Sequence, residues 1–156
     1  MSWSPHVTVS VLVEKDGRFL MVEERVNGAP VINQPSGHWE RGETLFAGAI
    51  RETLEETCWD VELTALLGVY EYEPPELGYT FIRFMFIGRA LSERPDRELD
   101  KAILRSMWLS EAEIRKQIER HRSPMVLRAI EDYLAGHRYP LNLVQHQTDF
   151  ASLPAL

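Results

Sequence analysis

An amphipathic helix placed between two groups of strand-like segments constrains the fold of this chain more than any other feature. Residues 44–57 carry apolar side chains at helical spacings, namely Leu45, Ala47, Ala49, Ile50 and Leu54. Upstream, partly alternating apolar residues predict a hairpin with strands at 6–14 and 18–25. In the first of these strands one face should consist of Val7, Val9, Val11 and Val13. A short strand at 31–34 follows, and Pro35 separates it from a predicted loop at 36–42.

Strand-like segments return after the helix. They occupy residues 61–72 and 79–91, with Pro74, Pro75 and Gly78 between them, and a polar loop is predicted at 92–100.

Two helix-start signals follow in the last third of the chain. Ser110 and Glu113 form a capping-box pattern that opens a second helix. Ser123-Pro124 opens a third, which Gly136 would end. This order of elements predicts an α+β domain with a mixed sheet between helices. No repeat or composition shift divides residues 1–156, so we expect one domain.

Charge and cysteine content narrow the range of partners. The formal net charge of −7 disfavours binding to a nucleic-acid polymer. We expect no membrane segment, because the sequence has neither a long apolar run nor the pattern of a signal peptide. Cys58 is the only cysteine, which rules out an internal disulfide and favours a cytoplasmic location.

Three glutamates share one face of the first helix. Glu52, Glu55 and Glu56 have the spacing i, i+3 and i+4, at which like charges repel. They also lie in the last turns, where the helix dipole disfavours negative charge. Clustered carboxylates of this kind suit a hard cation such as Mg²⁺. The helix alone leaves a second interpretation open, a solvated acidic face partly neutralised by Arg51.

The loop before the helix favours the metal interpretation. Gly37 and Gly42 permit a close backbone approach or a positive φ, and Glu43 lies near the helix N-terminus, where negative charge is favoured. The segment 37–59 as a whole resembles the Nudix box: Gly37, five residues, Glu43, seven residues, then Arg51, Glu52, two residues, Glu55 and Glu56. Two positions depart from the pattern. Thr53 replaces an aliphatic residue, and Cys58 replaces a glycine.

The resemblance implies a fold and a chemistry. It implies a Nudix-type α/β/α sandwich and Mg²⁺ as cofactor, with Mn²⁺ as a substitute. The metal ligands would be Glu52, Glu55, Glu56 and the backbone oxygen of Gly37. Arg51 would orient the glutamates, and Glu43 and Gly42 would support the box. The bound ions would neutralise a diphosphate and activate water. The general base would be Glu52, or an acid of the later loop, Glu98 or Asp100.

The resemblance extends beyond the box to both ends of the chain. The segments PHVTVSVLVEKDGRFLMVEE, NQPSGHWERGETL and RSPMVLRAIEDYLAGHRYPLNLV are similar to the NudJ group of bacterial phosphatases. That group implies hydrolysis of nucleoside di- and triphosphates, thiamine pyrophosphate and hydroxymethylpyrimidine pyrophosphate. We expect the protein to be a monomer or a homodimer. Two alternatives remain. The substrate could be ADP-ribose, a dinucleoside polyphosphate or an oxidised nucleotide, or the protein could sense a nucleotide without cleaving it.

Four residues outside the acidic face are candidate contacts to a small diphosphate substrate. Trp39, inside the box loop, is a candidate stacking residue, although aromatic side chains more often pack. Gln34 could read a ring edge or cap the backbone. Arg83, in an apolar strand, could meet phosphate or be a solvated edge residue. Arg122 precedes a helix N-terminus, a natural anion site, but helix capping alone also explains the segment.

Cys58 follows the predicted last helical residue and raises a structural question. Either it adopts the left-handed conformation at a cost of about 1–2 kcal/mol, or the loop relaxes to a negative φ and the thiol packs inward. We expect the strained conformation, since the preceding glutamates fix the helix path, and we do not expect a catalytic thiol.

Overall fold

The computed structural model describes residues 2–147, which form one mixed β-sheet with helices on both of its faces. Within this range the α-helices are α1 Leu45–Thr57, α2 Glu111–Lys116 and α3 Met125–Leu134. The strands are β1 His6–Lys15, β2 Arg18–Val26, β3 Ala29–Asn33, β4 Ser36–His38, β5 Trp59–Tyr72, β6 Phe81–Glu93 and β7 Ile103–Ser110. None of the described helices is long and apolar enough to cross a membrane.

The sheet combines parallel and antiparallel pairs, as predicted. Its main path runs β3-β2-β1-β6-β5, with β4 paired to β1 and β7 paired to β2. β1 and β6 are parallel over eight register positions, whereas the other pairs are antiparallel. β1 pairs with β4 at Thr8–Ser10 and with β2 only at its far end, Glu14 and Lys15. β1 and β2 are therefore separated along most of β1, and the loop before α1 lies at the edge of the sheet.

Two apolar layers hold the helices against this sheet. On one face Ala49 of α1 packs with residues of β1, β2 and β6, among them Val9, Val11, Val13, Leu20 and Phe86. On the other face Ile114 of α2 and Ile130 of α3 pack with Leu12, Met21, Ile32, Leu67 and Met85. The predicted α/β/α sandwich is confirmed. The predicted strand face holds for the last three of its four valines, while Val7 is only half-buried.

Helix boundaries follow their capping signals. Thr44 is the N-cap of α1 and accepts a hydrogen bond from the Ala47 N–H. The predicted capping box opens α2 with both of its reciprocal hydrogen bonds. Ser123 Oγ accepts from the Met125 N–H at the start of α3, and Gly136, beyond its end, has a φ of +88°.

Two strands were not predicted from the sequence. Residues 36–38, assigned to a loop, form β4, because the Ser36–His38 backbone pairs with β1 across from Thr8–Ser10. The prediction left residues 101–109 without an element, but they contain most of β7, an edge strand on β2. Most side chains of β7 are exposed or only half-buried, so its sequence lacks the alternation that marks a strand.

Candidate active site

Arg51 organises the acidic face of α1 by bonding to glutamates on two sides. Its Nε and Nη2 donate to the two carboxylate oxygens of Glu43 at 2.9 and 2.8 Å. Its Nη1 donates to Glu52 Oε1 at 2.8 Å and to Glu55 Oε2 at 3.2 Å. Hydrogen bonds to Glu43 are the main reason that the pKa of Arg51 is raised above its ordinary value. The bidentate pair with Glu43 fixes the guanidinium, which in turn orients Glu52 and Glu55.

A close contact joins this face to the preceding loop. A Cβ atom at Gly37 would lie 2.1 Å from the carboxylate carbon of Glu52, so any other residue there requires the Glu52 carboxylate to move. A Cβ at Gly48 would lie 2.7 Å from Glu43 Oε1, so this helical glycine makes room for the carboxylate that holds Arg51. Gly42 has a φ of +90°, as expected for a turn glycine.

Glu52 and Glu56 are buried carboxyl groups. Burial raises the pKa of Glu52, and the hydrogen bond from Arg51 opposes this effect. Burial raises the pKa of Glu56 to about 9, even though its Oε1 accepts a 2.8 Å hydrogen bond from the Ser36 N–H. The nearby charges of Glu24, Glu52 and Asp100 add to the shift at Glu56. Without metal these two carboxyl groups therefore hold their protons more tightly than an exposed glutamate does, and a bound cation would favour their ionised form.

The donor set suits a divalent cation, but its side chains are not yet arranged around one. Among residues 2–147, no three acidic, histidine or cysteine side chains already surround a common point. Arg51 and the Ser36 N–H hold the carboxylates in separate hydrogen bonds. Three clustered carboxylates and a glycine backbone beside them provide the hard oxygen ligands that Mg²⁺ prefers. The residues therefore fit the ion chemically, and its binding requires some of these side chains to turn.

Cys58 ends α1 in the left-handed conformation that its position in the box predicted. Its φ is +63°, and its N–H donates to the Leu54 oxygen at 2.9 Å. The thiol is also buried, and Sγ donates to the Arg97 oxygen at 3.0 Å. The strained conformation is thus confirmed, with the inward packing that we had associated only with a relaxed loop. Burial raises the pKa of the thiol, which disfavours the reactive thiolate.

The loop after β6 is tied to the C-terminal end of α1. The Arg94 N–H donates to the Cys58 oxygen at 2.7 Å, and the Asp100 N–H donates to the Glu55 oxygen at 2.9 Å. These contacts bring Asp100 close enough for its charge to raise the pKa values of Glu52 and Glu56. Glu98 is exposed on the same loop. Of the two loop acids considered as a base, Asp100 is therefore the one shown beside the acidic face.

A cavity of about 470 Å³ begins where the box loop meets the sheet. Its wall includes Gly37 and Ser36, next to the acidic face, and two arginines, Arg83 and Arg122. Aromatic side chains also line it, namely Tyr72, Tyr79, Phe81 and His38. The cavity and the glutamates of α1 meet at Gly37, so a ligand in the cavity can present one end to the acidic face.

Arg83 is a buried cation in this wall. It is only 6% exposed, and burial lowers its pKa to about 10, so the guanidinium stays charged at neutral pH. Its contacts to Thr8 Oγ1 and Ser36 Oγ are both long, 3.5 Å, and Nη1 has no hydrogen-bond partner among the described residues. Arg122 lies at the same cavity and makes a 3.5 Å ion pair with Glu24. These two arginines supply positive charge beside the acidic face.

The other two predicted substrate contacts do not line the cavity. Gln34 is fully buried, and its Nε2 donates to the Val126 oxygen at 2.9 Å, so the amide links β3 to α3. Trp39 is 44% exposed, and its indole N–H donates to the Glu43 oxygen at 2.9 Å. Sequence reasoning missed Asn33, Glu24, Tyr72 and Tyr79, which line the cavity. The only signal for Asn33 was its place beside Gln34 and the box loop.

Comparison of the sequence with known proteins assigns the chain to an enzyme family. The NUDIX domain family model matches residues 4–129, and the chain belongs to that family. It is a Nudix hydrolase, an enzyme that cleaves phosphoanhydride bonds. The chain is 37% identical over 142 residues to phosphatase NudJ of Escherichia coli K12, an alignment covering 91% of this chain and 92% of NudJ.

Solved structures show the same fold. A NUDIX hydrolase from Nitrosomonas europaea superposes with a TM-score of 0.91 at 43% identity, covering 92% of this chain and 98% of that one. A UDP-X diphosphatase superposes with a TM-score of 0.71 at 18% identity, covering 89% of this chain and 67% of that one. At that identity the second likeness concerns the fold alone.

Proposed function

We propose that this protein hydrolyses small diphosphate substrates in a Mg²⁺-dependent reaction, with Mn²⁺ as a substitute. The substrates are hydroxymethylpyrimidine pyrophosphate, thiamine pyrophosphate and nucleoside di- or triphosphates. The observation that carries the proposal is the junction at Gly37, where an acidic helix face and an arginine-containing cavity meet. The similarity to phosphatase NudJ supports hydrolysis of a phosphate-containing substrate.

The residues assigned to the cation are Glu52, Glu55, Glu56 and the backbone oxygen of Gly37. When bound, divalent ions neutralise the diphosphate and make the attacking water more acidic. Arg51 is placed to position Glu52 and Glu55, because its guanidinium contacts both and is itself fixed by Glu43. Because the carboxylates are held apart by hydrogen bonds, the ion has to compete with Arg51 and the Ser36 N–H for their oxygens.

The arginines of the cavity are assigned to the far end of the diphosphate. Arg83 has an unpartnered Nη1 and no ion-pair partner among the described residues, so a phosphate oxygen would be its first close acceptor. Arg122 could exchange its long contact with Glu24 for a phosphate oxygen. Trp39 and Gln34 receive less support, since neither lines the cavity.

Among the candidate bases, we favour Asp100 or Glu52 over Glu98. Asp100 is anchored to the helix end through its backbone N–H, and its charge is felt at both buried glutamates. A base must come within hydrogen-bond reach of the water it activates. Asp100→Asn should therefore lower kcat much more than Glu98→Gln does.

A substrate screen tests the assignment. Purified protein is assayed for phosphate and monophosphate release from about twenty diphosphates, with Mg²⁺, with Mn²⁺ and with EDTA. We expect metal-dependent turnover of a pyrimidine pyrophosphate, thiamine pyrophosphate or a nucleoside di- or triphosphate. A kcat/KM a hundredfold higher for ADP-ribose or a dinucleoside polyphosphate would contradict the substrate class and leave the reaction class standing. The same preparation shows whether the protein is a monomer or a homodimer. A cytoplasmic location remains part of the proposal.

A further inference from the structure

Asn33, at the end of β3, has an unpaired acceptor in the cavity wall. The residue lines the cavity and is only 3% exposed. Its Oδ1 is buried and has no hydrogen-bond partner among the described residues. A buried polar atom without a partner is unfavourable, so such an atom in the wall of a ligand cavity points to a partner supplied by the ligand.

The orientation of the Asn33 amide is fixed by its neighbours. Nδ2 donates to Glu24 Oε1 at 3.4 Å and to Ser36 Oγ at 3.2 Å. An ionised carboxylate only accepts hydrogen bonds, so a reversed amide would set Oδ1 against an oxygen of Glu24. Glu24 therefore fixes which end of the amide is Nδ2 and leaves Oδ1 as the unpaired atom. The missing partner must be a donor, an N–H or O–H group.

Asn33 and Arg83 contact the same hydroxyl group. Ser36 Oγ lies 3.2 Å from Asn33 Nδ2 and 3.5 Å from Arg83 Nη2. The two side chains that carry the unpaired acceptor and the unpaired donor thus meet at one residue, next to Gly37 and the acidic face. A ligand that satisfies both has a hydrogen-bond donor only a few bonds away from its diphosphate.

This requirement distinguishes among the proposed substrates. An aminopyrimidine whose amino group is adjacent to the ring carbon bearing the CH₂-diphosphate has its donor close to the phosphates. In a nucleotide the base lies beyond the ribose, and a ribose hydroxyl is the nearest donor. The aromatic side chains Tyr72, Tyr79 and Phe81 in the same cavity favour a flat ring over a sugar.

We propose that Asn33 is a specificity-determining residue, whose Oδ1 accepts a hydrogen bond from the ring amino group of an aminopyrimidinylmethyl diphosphate. This inference rests on the proposed function, since it concerns the same cavity and reaction. Arg83 binds the diphosphate, Asn33 reads the amino group, and Glu24 keeps the Asn33 amide in the orientation that makes this reading possible.

The test pairs a change in the protein with a change in the substrate. The substrates are (4-amino-2-methylpyrimidin-5-yl)methyl diphosphate and its analogue without the 4-amino group. With wild-type enzyme we expect loss of the amino group to lower kcat/KM by about tenfold or more, because a buried acceptor is left unpaired. With Asn33→Leu or the smaller Asn33→Ala, the same loss should cost less than about threefold.

Gln34 provides the matched control. It is the adjacent buried amide, and its Oε1 is also unpaired among the described residues, but it lies outside the cavity. Gln34→Leu should lower thermal stability and retain the wild-type preference for the amino substrate. A purely structural role of Asn33 would instead lower kcat/KM for both substrates equally in its variants.

Several outcomes would overturn the inference. Equal kcat/KM for the two pyrimidine substrates with wild-type enzyme would do so without any variant. An equal amino-group effect in wild type and both Asn33 variants would do so as well. CDP and its 2′,3′-dideoxy analogue form a second substrate pair. If the Asn33 variants reduced the effect of removing the ribose hydroxyls but not the effect of removing the amino group, Oδ1 would be assigned to a sugar hydroxyl instead. If no diphosphate is hydrolysed with Mg²⁺, the result contradicts the proposed function itself and not specifically the role of Asn33.

Discussion

Gly37 and Glu52 are in such close contact that a single methyl group on the glycine would lie 2.1 Å from the carboxylate carbon of the glutamate. This contact joins β4 to the acidic face of α1 in the wall of the cavity. Because the two halves of the site meet there, changes at the contact should disturb chemistry before they disturb the fold.

Gly37→Ala should lower kcat by about a hundredfold, because displacement of the Glu52 carboxylate misplaces a group that has to be held within about 1 Å. Gly17→Ala is a suitable control. It lies in the β1–β2 turn, where a Cβ meets no atom within 4 Å, although its φ of +76° adds backbone strain. The control should lose stability and keep its turnover. If Gly37→Ala lost stability and kept its turnover while Gly17→Ala lost turnover, the contact with Glu52 would be shown not to be functional.

Glu56→Gln should make the metal-free protein more stable. Burial raises the pKa of this carboxyl group to about 9, so folding at neutral pH is opposed by the preference of the unfolded chain for the ionised form. A glutamine avoids that cost and can still accept from the Ser36 N–H, so we expect a gain of about 1 kcal/mol or more. Urea unfolding in EDTA measures it. Glu55→Gln, at a more exposed position, should change stability less, and a clear loss in Glu56→Gln would contradict this description of the site.

Glu23 should contribute stability that disappears in acid. A hydrogen bond from Arg120 is the main cause that lowers its pKa below 4.5, with Arg105 adding to the effect. A group whose folded-state pKa is lowered stabilises the fold above its unfolded pKa and loses this contribution as the pH falls through the folded value. Glu23→Gln should therefore cost up to about 1 kcal/mol at pH 7 and progressively less below pH 4.5.

Chemical unfolding of wild type and Glu23→Gln across this pH range is the measurement. Glu119→Gln, at an exposed glutamate, serves as the control and should track wild type throughout. A Glu23→Gln deficit that grew on acidification would show that the sign of the charge effect is wrong.

Cys58 allows backbone strain to be separated from packing. Cys58→Ala keeps the strained φ and removes the thiol contact with the Arg97 oxygen, so it should destabilise. Cys58→Gly loses the same contact but relieves the strain, so it should be more stable than the alanine variant by about 1 kcal/mol. Thermal unfolding in EDTA compares the two, and equal stability would mean that the left-handed conformation costs nothing here. Both variants should retain turnover, and its loss at unchanged metal affinity would point to a role for the thiol.

The acidic face could be predicted because helical periodicity alone decides which side chains share a face. The resemblance to the box also paired Arg51 with the helix glutamates correctly, whereas the bidentate pair of Arg51 with Glu43 was not predicted. The left-handed Cys58 could be predicted because the box places glycine there, directly after the helix.

The cavity could not be predicted in the same way. Its wall combines Asn33 from β3, Tyr72 from β5 and Arg83 from β6, and only strand pairing brings these distant segments together. The same limit explains why Gln34 was preferred to its neighbour Asn33. Which of two adjacent residues faces the cavity depends on the register of β3, and the prediction had no information about that register.

The central claim is that clustered glutamates on α1 make this protein a metal-dependent hydrolase of small diphosphates. The most direct measurement is the initial rate of monophosphate release from aminopyrimidinylmethyl diphosphate as Mg²⁺ is titrated into metal-free wild type and into Glu56→Gln. The claim predicts no turnover in EDTA, saturable activation of the wild type by Mg²⁺, and a rate lower by orders of magnitude in the variant, which remains folded. Full activity in EDTA, or wild-type activation of Glu56→Gln, would contradict it.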